Sequence, residues 1–166
     1  MIAFFLAVDF MNFTYRTNPC AKNVPVPVVM RRGSFSYFDQ KMGAGFDLRV
    51  RLVKEGSLKA GTRQAIVVLA CDFPVGGTAA AYAFDERGDT AVLLAKVATA
   101  NWGGDWGAGP DSIHVRFANH LLYVDQCDSA ACDTRKVTTY ALRGAELTAV
   151  FVTTRKAAKL PDPNGA

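Results

Sequence analysis

Residues Asp47–Lys54 (DLRVRLVK) put Leu48, Val50 and Leu52 on one side of an extended chain and Arg49 and Arg51 on the other. Such alternation predicts a strand with one wetted face. The next apolar run does not alternate. Within Ala65–Cys71, Ile66-Val67-Val68-Leu69 is unbroken, which predicts a central strand covered on both faces. Thr78–Phe84 and Thr90–Val97 follow as arms of a hairpin around Asp85–Asp89, with Gly88 supplying a positive φ. The pattern then recurs. Ser112–Phe117 sets Ile113, Val115 and Phe117 against His114 and Arg116, Asn119 marks a tight turn, and Leu121–Gln126 returns. Val137–Leu142 and Glu146–Thr153 form a last hairpin around Arg143-Gly144.

No segment of useful length has helical spacing, so the fold class expected is all-β. The stretches 47–97 and 112–153 read as two copies of one four-stranded unit. Ala65–Asp72 (AIVVLACD) and Leu121–Asp128 (LLYVDQCD) both end in Cys-Asp, and the length differences between the units fall in loops. An antiparallel meander of two four-stranded repeats follows, arranged as a sandwich, a barrel or a partial propeller-like assembly. Upstream, Val24–Met30 carries two prolines and is expected at a sheet edge, and Ser34–Phe38 alternates as a strand. A single all-β domain is expected over 10–153. The first nine residues hold the apolar run Ile2–Val8, either the remnant of a signal h-region or a first strand. Residues 154–166, basic and then rich in Pro, Asn and Gly, read as a flexible tail.

Half of the 166 residues are hydrophobic and a fifth are charged, enough for a packed core. The net charge of +4 is mild and the basic residues are scattered, which argues against nucleic acid as a partner. No apolar run approaches the ~20 residues of a membrane-spanning helix. The four cysteines show no metal-ligand spacing with histidine, and neither metal nor cofactor is expected. Cys127 and Cys132 suit a small local disulfide loop, which leaves Cys20 and Cys71 as a second pair; four cysteines allow three connectivities. Disulfides imply an oxidising compartment, so the protein is expected to be extracytoplasmic, periplasmic or secreted.

In its order of segments the chain resembles a group of uncharacterised bacterial secreted proteins. The likeness rests on Asn12–Tyr15 (NFTY) before Cys20, Gly56–Cys71 (GSLKAGTRQAIVVLAC), the Tyr82-Ala83-Phe84 hairpin and the Tyr140-Ala141-Leu142 hairpin. The middle segment is similar to the calcium loops of FG-GAP-type strand repeats. Here Ser57, Lys59, Gly61 and Gln64 stand where that likeness implies acidic ligands, so it implies the turn without the metal. It brings no activity with it.

Trp102-Gly103-Gly104-Asp105-Trp106-Gly107 is the most suggestive stretch for function. Two indoles on a glycine-rich loop can form a platform for a sugar face, with Asp105 accepting hydrogen bonds, or can fold back and cap the core. His114 and Arg116 share a strand face and can form a polar patch with Asp125 or Asp128. No nucleophile elbow or catalytic motif is present. The expectation is therefore an exported, non-catalytic binding or interaction domain. Its ligand would be a cell-envelope polysaccharide or a protein, engaged through Trp102, Asp105, Trp106, His114 and Arg116. The alternatives are a secreted inhibitor of an envelope-degrading hydrolase, and a small hydrolase using Asp105, Asp111 or His114.

Overall fold

The computed structural model describes residues 7–103, 106–128 and 131–157, without the side chains of Ala21 and Trp106. Most of Ile2–Val8, all of Asp105 and the chain after Ala157 lie outside the described residues. Two short strands, β1 (Thr14–Tyr15) and β2 (Val28–Val29), form a small sheet of their own. Then come β3 (Ser34–Asp39), β4 (Ala44–Gly56), β5 (Arg63–Phe73), β6 (Gly76–Arg87), β7 (Thr90–Gly103) and β8 (Trp106–Gly107), joined in that order as one antiparallel sheet. The last four are β9 (His114–Ala118), β10 (Leu121–Cys127), β11 (Thr134–Arg143) and β12 (Glu146–Lys156), which form a separate four-stranded antiparallel sheet.

The all-β meander expected from hydrophobic alternation is what the chain builds. The sheets stay open and stack like a sandwich; they do not close into a barrel. Residues expected to loop extend strands instead: β4 begins at Ala44, β6 runs to Arg87, and the segment after Val97 continues β7 to Gly103. The Asp85–Asp89 turn therefore shrinks to Gly88-Asp89. Thr154–Lys156, read as tail, is strand. Val24–Met30 supplies only the two residues of β2, and Val26-Pro27 is a cis peptide.

β5 sits between β4 and β6, and every residue from Ala65 to Cys71 is almost wholly buried. Its unbroken apolar run serves two cores. Ala65, Val67, Leu69 and Cys71 pack with Val8, Phe10, Tyr15, Val24, Val28 and Met30 of the N-terminal segment. Ile66, Val68 and Ala70 share a cluster with Ala79, Ala81 and Ala83 of β6 and with Leu122 and Val124 of β10. The molecule thus has three layers: N-terminal segment, six-stranded sheet, four-stranded sheet. The alanine stripe of β6 leaves room for the larger side chains of β10. Where β4 meets β9, the Phe117 ring rests on the backbone of Gly56, a position with no space for a side chain.

Cys20 bonds to Cys71 and Cys127 to Cys132. The first ties the N-terminal layer to the central strand; the second closes the turn between β10 and β11. The two Cys-Asp segments thus use their cysteines differently. Two such bonds suit an oxidising compartment. Among the described residues no helix is long and apolar enough to cross a membrane.

Candidate functional site

The four-stranded sheet turns one face to the core and the other outward, because successive strand residues alternate. Val115 and Phe117, Leu122 and Val124, and Tyr140 and Leu142 belong to the interlayer core. Their neighbours make up the outer face, and the Cα register sets them in rows. Arg116, Tyr123, Thr139 and Phe151 stand side by side across the four strands. The next row holds His114, Asp125, Val137 and Thr153, and the one after it Cys127, Arg135 and Arg155.

The polar members of these rows form one network. Arg135 Nε donates to Asp125 Oδ1 at 2.6 Å, and an Arg155 nitrogen donates to Asp125 Oδ2 at 2.7 Å. Arg135 also donates to the carbonyl of Ser112 at 2.8 Å and lies 3.3 Å from His114 Nδ1. Its remaining nitrogen approaches both sulfurs of the local disulfide, 3.7 Å from Cys127 Sγ and 3.6 Å from Cys132 Sγ. The guanidinium carbon of Arg116 stands 4.3 Å from the centroid of the Tyr123 ring, within cation–π distance. Partial burial pushes the Asp125 carboxyl pKa up, but hydrogen bonds from Arg135 and Arg155, with their charges, hold it below the ordinary value.

The result is an open depression of about 450 Å³ lined by His114, Arg116, Tyr123, Asp125, Val137 and Arg155. Arg135 and Arg155 pair with the Asp125 carboxylate, and no ion pair involves Arg116, which lies over Tyr123, among the described residues. The electrostatic balance is unfilled on the cationic side. Arg155 keeps 64% of its side chain exposed, so it can turn to a ligand; Arg135, at 14%, is fixed.

Of the residues singled out from sequence, Trp102 lies apart from His114 and Arg116. Trp102 lies partly buried against the interlayer core, its ring over Gly77 of β6. His114 and Arg116 point the other way, from the outer face of the other sheet. Asp105 is outside the described residues, as is the Trp106 side chain; the Trp106 backbone pairs with Gly103. Asp111 is 85% exposed and faces Arg51 at 3.6 Å, whereas His114 faces Arg135, so the two do not converge. Tyr123, Arg135 and Arg155 were not legible as site residues, because each needs cross-strand register to meet the others.

A second depression, of about 420 Å³, lies at the hairpin ends of β5 and β6, lined in part by Arg63, Asp85, Glu86 and Arg87. Its charged residues pair with one another: Arg63 with Glu55 at 2.6 Å and Glu86 at 3.4 Å, and Arg87 with Asp85 at 3.0 Å. Beside it, the turn between β4 and β5 is held by a side chain. Buried Gln64 accepts from the Leu58 N–H at 2.7 Å and donates to Asp85 at 2.9 Å.

Comparison with protein-family models, with curated proteins and with solved structures gives no match.

Proposed function

We propose that this chain is an extracytoplasmic, non-catalytic binding domain whose ligand surface is the outer face of the β9–β12 sheet. The observation that carries the reading is the exposed guanidinium charge of Arg116 and Arg155 beside an aromatic ring, around one open depression of the sheet. A fold stapled by two disulfides offers a rigid platform, and side chains fixed on strands position a ligand with little loss of entropy. The ligand class is a cell-envelope polysaccharide or an envelope protein. In this reading His114 contributes a polar contact beside Arg135, its Nδ1 3.3 Å from a guanidinium nitrogen.

Co-sedimentation with insoluble cell-envelope polysaccharide tests this, comparing the wild type with Arg116→Ala and Tyr123→Ala while released reducing ends are counted. Retention that drops in both variants, with no new reducing ends, is the expected result. Retention unchanged in both would place the surface elsewhere, and new reducing ends would make the chain a hydrolase.

A further inference from the structure

We infer that the outer face of the β9–β12 sheet takes an acidic polysaccharide, its ring-borne oxyanions on Arg116 and Arg155 and a sugar face on Phe151, beside the Arg116–Tyr123 stack. The inference rests on the binding reading above and specifies its ligand class. Tyr123 and Phe151 occupy one row, separated by Thr139, so they stand two strand spacings apart, about 10 Å. Phe151 is 63% exposed, a phenyl ring presented to solvent at the edge of the sheet. Two aromatic residues set in one row across the strands suit an extended chain of rings better than a single compact ligand.

Charge supplies the second half of the argument. Three guanidinium groups less one carboxylate leave the face at +2. Asp125 already shows how an oxyanion is held here, by Arg135 and Arg155 together. Arg116 lies over the Tyr123 ring and makes no ion pair among the described residues, and the planar donor edge of a guanidinium receives a carboxylate or sulfate in bidentate fashion. A neutral glycan would leave that edge unmatched. Aromatic rings interleaved with arginine on a sheet also suit single-stranded nucleic acid. The two disulfides, which suit a compartment where extracellular glycans are the common polyanions, favour the sugar.

The experiment is a calorimetric titration of the full chain with polygalacturonate, dextran sulfate, neutral dextran and oligodeoxythymidylate, repeated with Arg116→Gln. Arg116 is exposed and outside every ion pair described, so the variant should fold; circular dichroism checks this. Binding to one or both acidic glycans at least about tenfold tighter than to dextran supports the inference, if it weakens with salt and falls on the order of tenfold in Arg116→Gln. The preferred polymer names the oxyanion, carboxylate or sulfate. Equal binding of dextran, still reduced in the variant, would overturn the acidic class while leaving the binding surface in place. Preference for the oligonucleotide would do the same. Failure to bind either acidic glycan would also overturn the inference, and binding indifferent to Arg116→Gln would overturn both the inference and the surface.

Discussion

The indole of Trp102 lies against Gly77, so closely that a β-carbon there would clash with two atoms of the ring, and it would also stand 2.8 Å from the Cys71 carbonyl oxygen. β6 and β7 pair at this point, with Gly77 opposite Trp102. The contact explains why this tryptophan packs into the core and does not form an exposed platform. Gly77→Ala is predicted to destabilise the fold by roughly 1–3 kcal/mol through overpacking, and to shift tryptophan emission to the red as the ring is displaced. Denaturant unfolding followed by fluorescence checks both.

Asp125 anchors two arginines and has only 16% of its side chain exposed. Burial works against its ionised form, but the hydrogen bonds from Arg135 and Arg155 prevail, and its pKa falls below the ordinary 3.8. A depressed carboxylate stabilises the fold above the unfolded-state pKa and loses that contribution as pH falls through the folded value. Asp125→Asn should therefore cost roughly 1–3 kcal/mol near neutral pH, and the difference from the wild type should close below about pH 3.8. Thermal unfolding of both proteins across pH measures this.

Glu86 has the opposite sign. Its side chain is 3% exposed, and burial raises its pKa above 4.5; the Arg63 charge opposes the rise, the Glu55 charge adds to it, and the Val8 N–H opposes it. One carboxylate oxygen, Oε1, has no hydrogen-bond partner among the described residues. A raised folded-state pKa gives stability that is present below pH 4.5 and lost as pH rises through the folded value. Glu86→Gln should then unfold at a higher temperature than the wild type at pH 7, with the advantage gone below pH 4.5. The same thermal series decides it.

The two disulfides close loops of very different size, with sequence separations of 51 and 5. On the chain-entropy model, removing the first costs about 4 kcal/mol and removing the second about 2. The double variants Cys20→Ala/Cys71→Ala and Cys127→Ala/Cys132→Ala should rank in that order in urea unfolding. The smaller loop carries a local effect too: Arg135 touches both of its sulfurs, so its removal should loosen the Asp125 network.

Hydrophobic alternation made most of the strand order legible. Ile66–Leu69 announced a strand buried on both faces because no polar residue interrupts it, and it lies at the centre of the larger sheet. The outer-face site was half legible. A two-residue turn at Asn119-His120, both with positive φ, sets Arg116 opposite Tyr123 and His114 opposite Asp125. Arg135 and Arg155 were beyond reach. A bulge between Thr139 and Tyr140 shifts the β11–β12 register, and no spacing in the sequence reveals it. Trp102 misled for a related reason: glycines beside an indole suggest a loop, yet here Gly77 and Gly107 are the small residues that let paired strands close around it.

Amide chemical-shift mapping during separate titrations with a short oligogalacturonate and a sulfated dextran oligomer, the tighter of the two being the one scored, tests the central claim most directly. Perturbations concentrated at Arg116, Tyr123, Asp125, Thr139 and Phe151, with the N-terminal layer from Val8 to Met30 unchanged, are predicted. Perturbations confined to the N-terminal layer or to the Arg63–Glu86 depression, or none at saturating concentration, would contradict it.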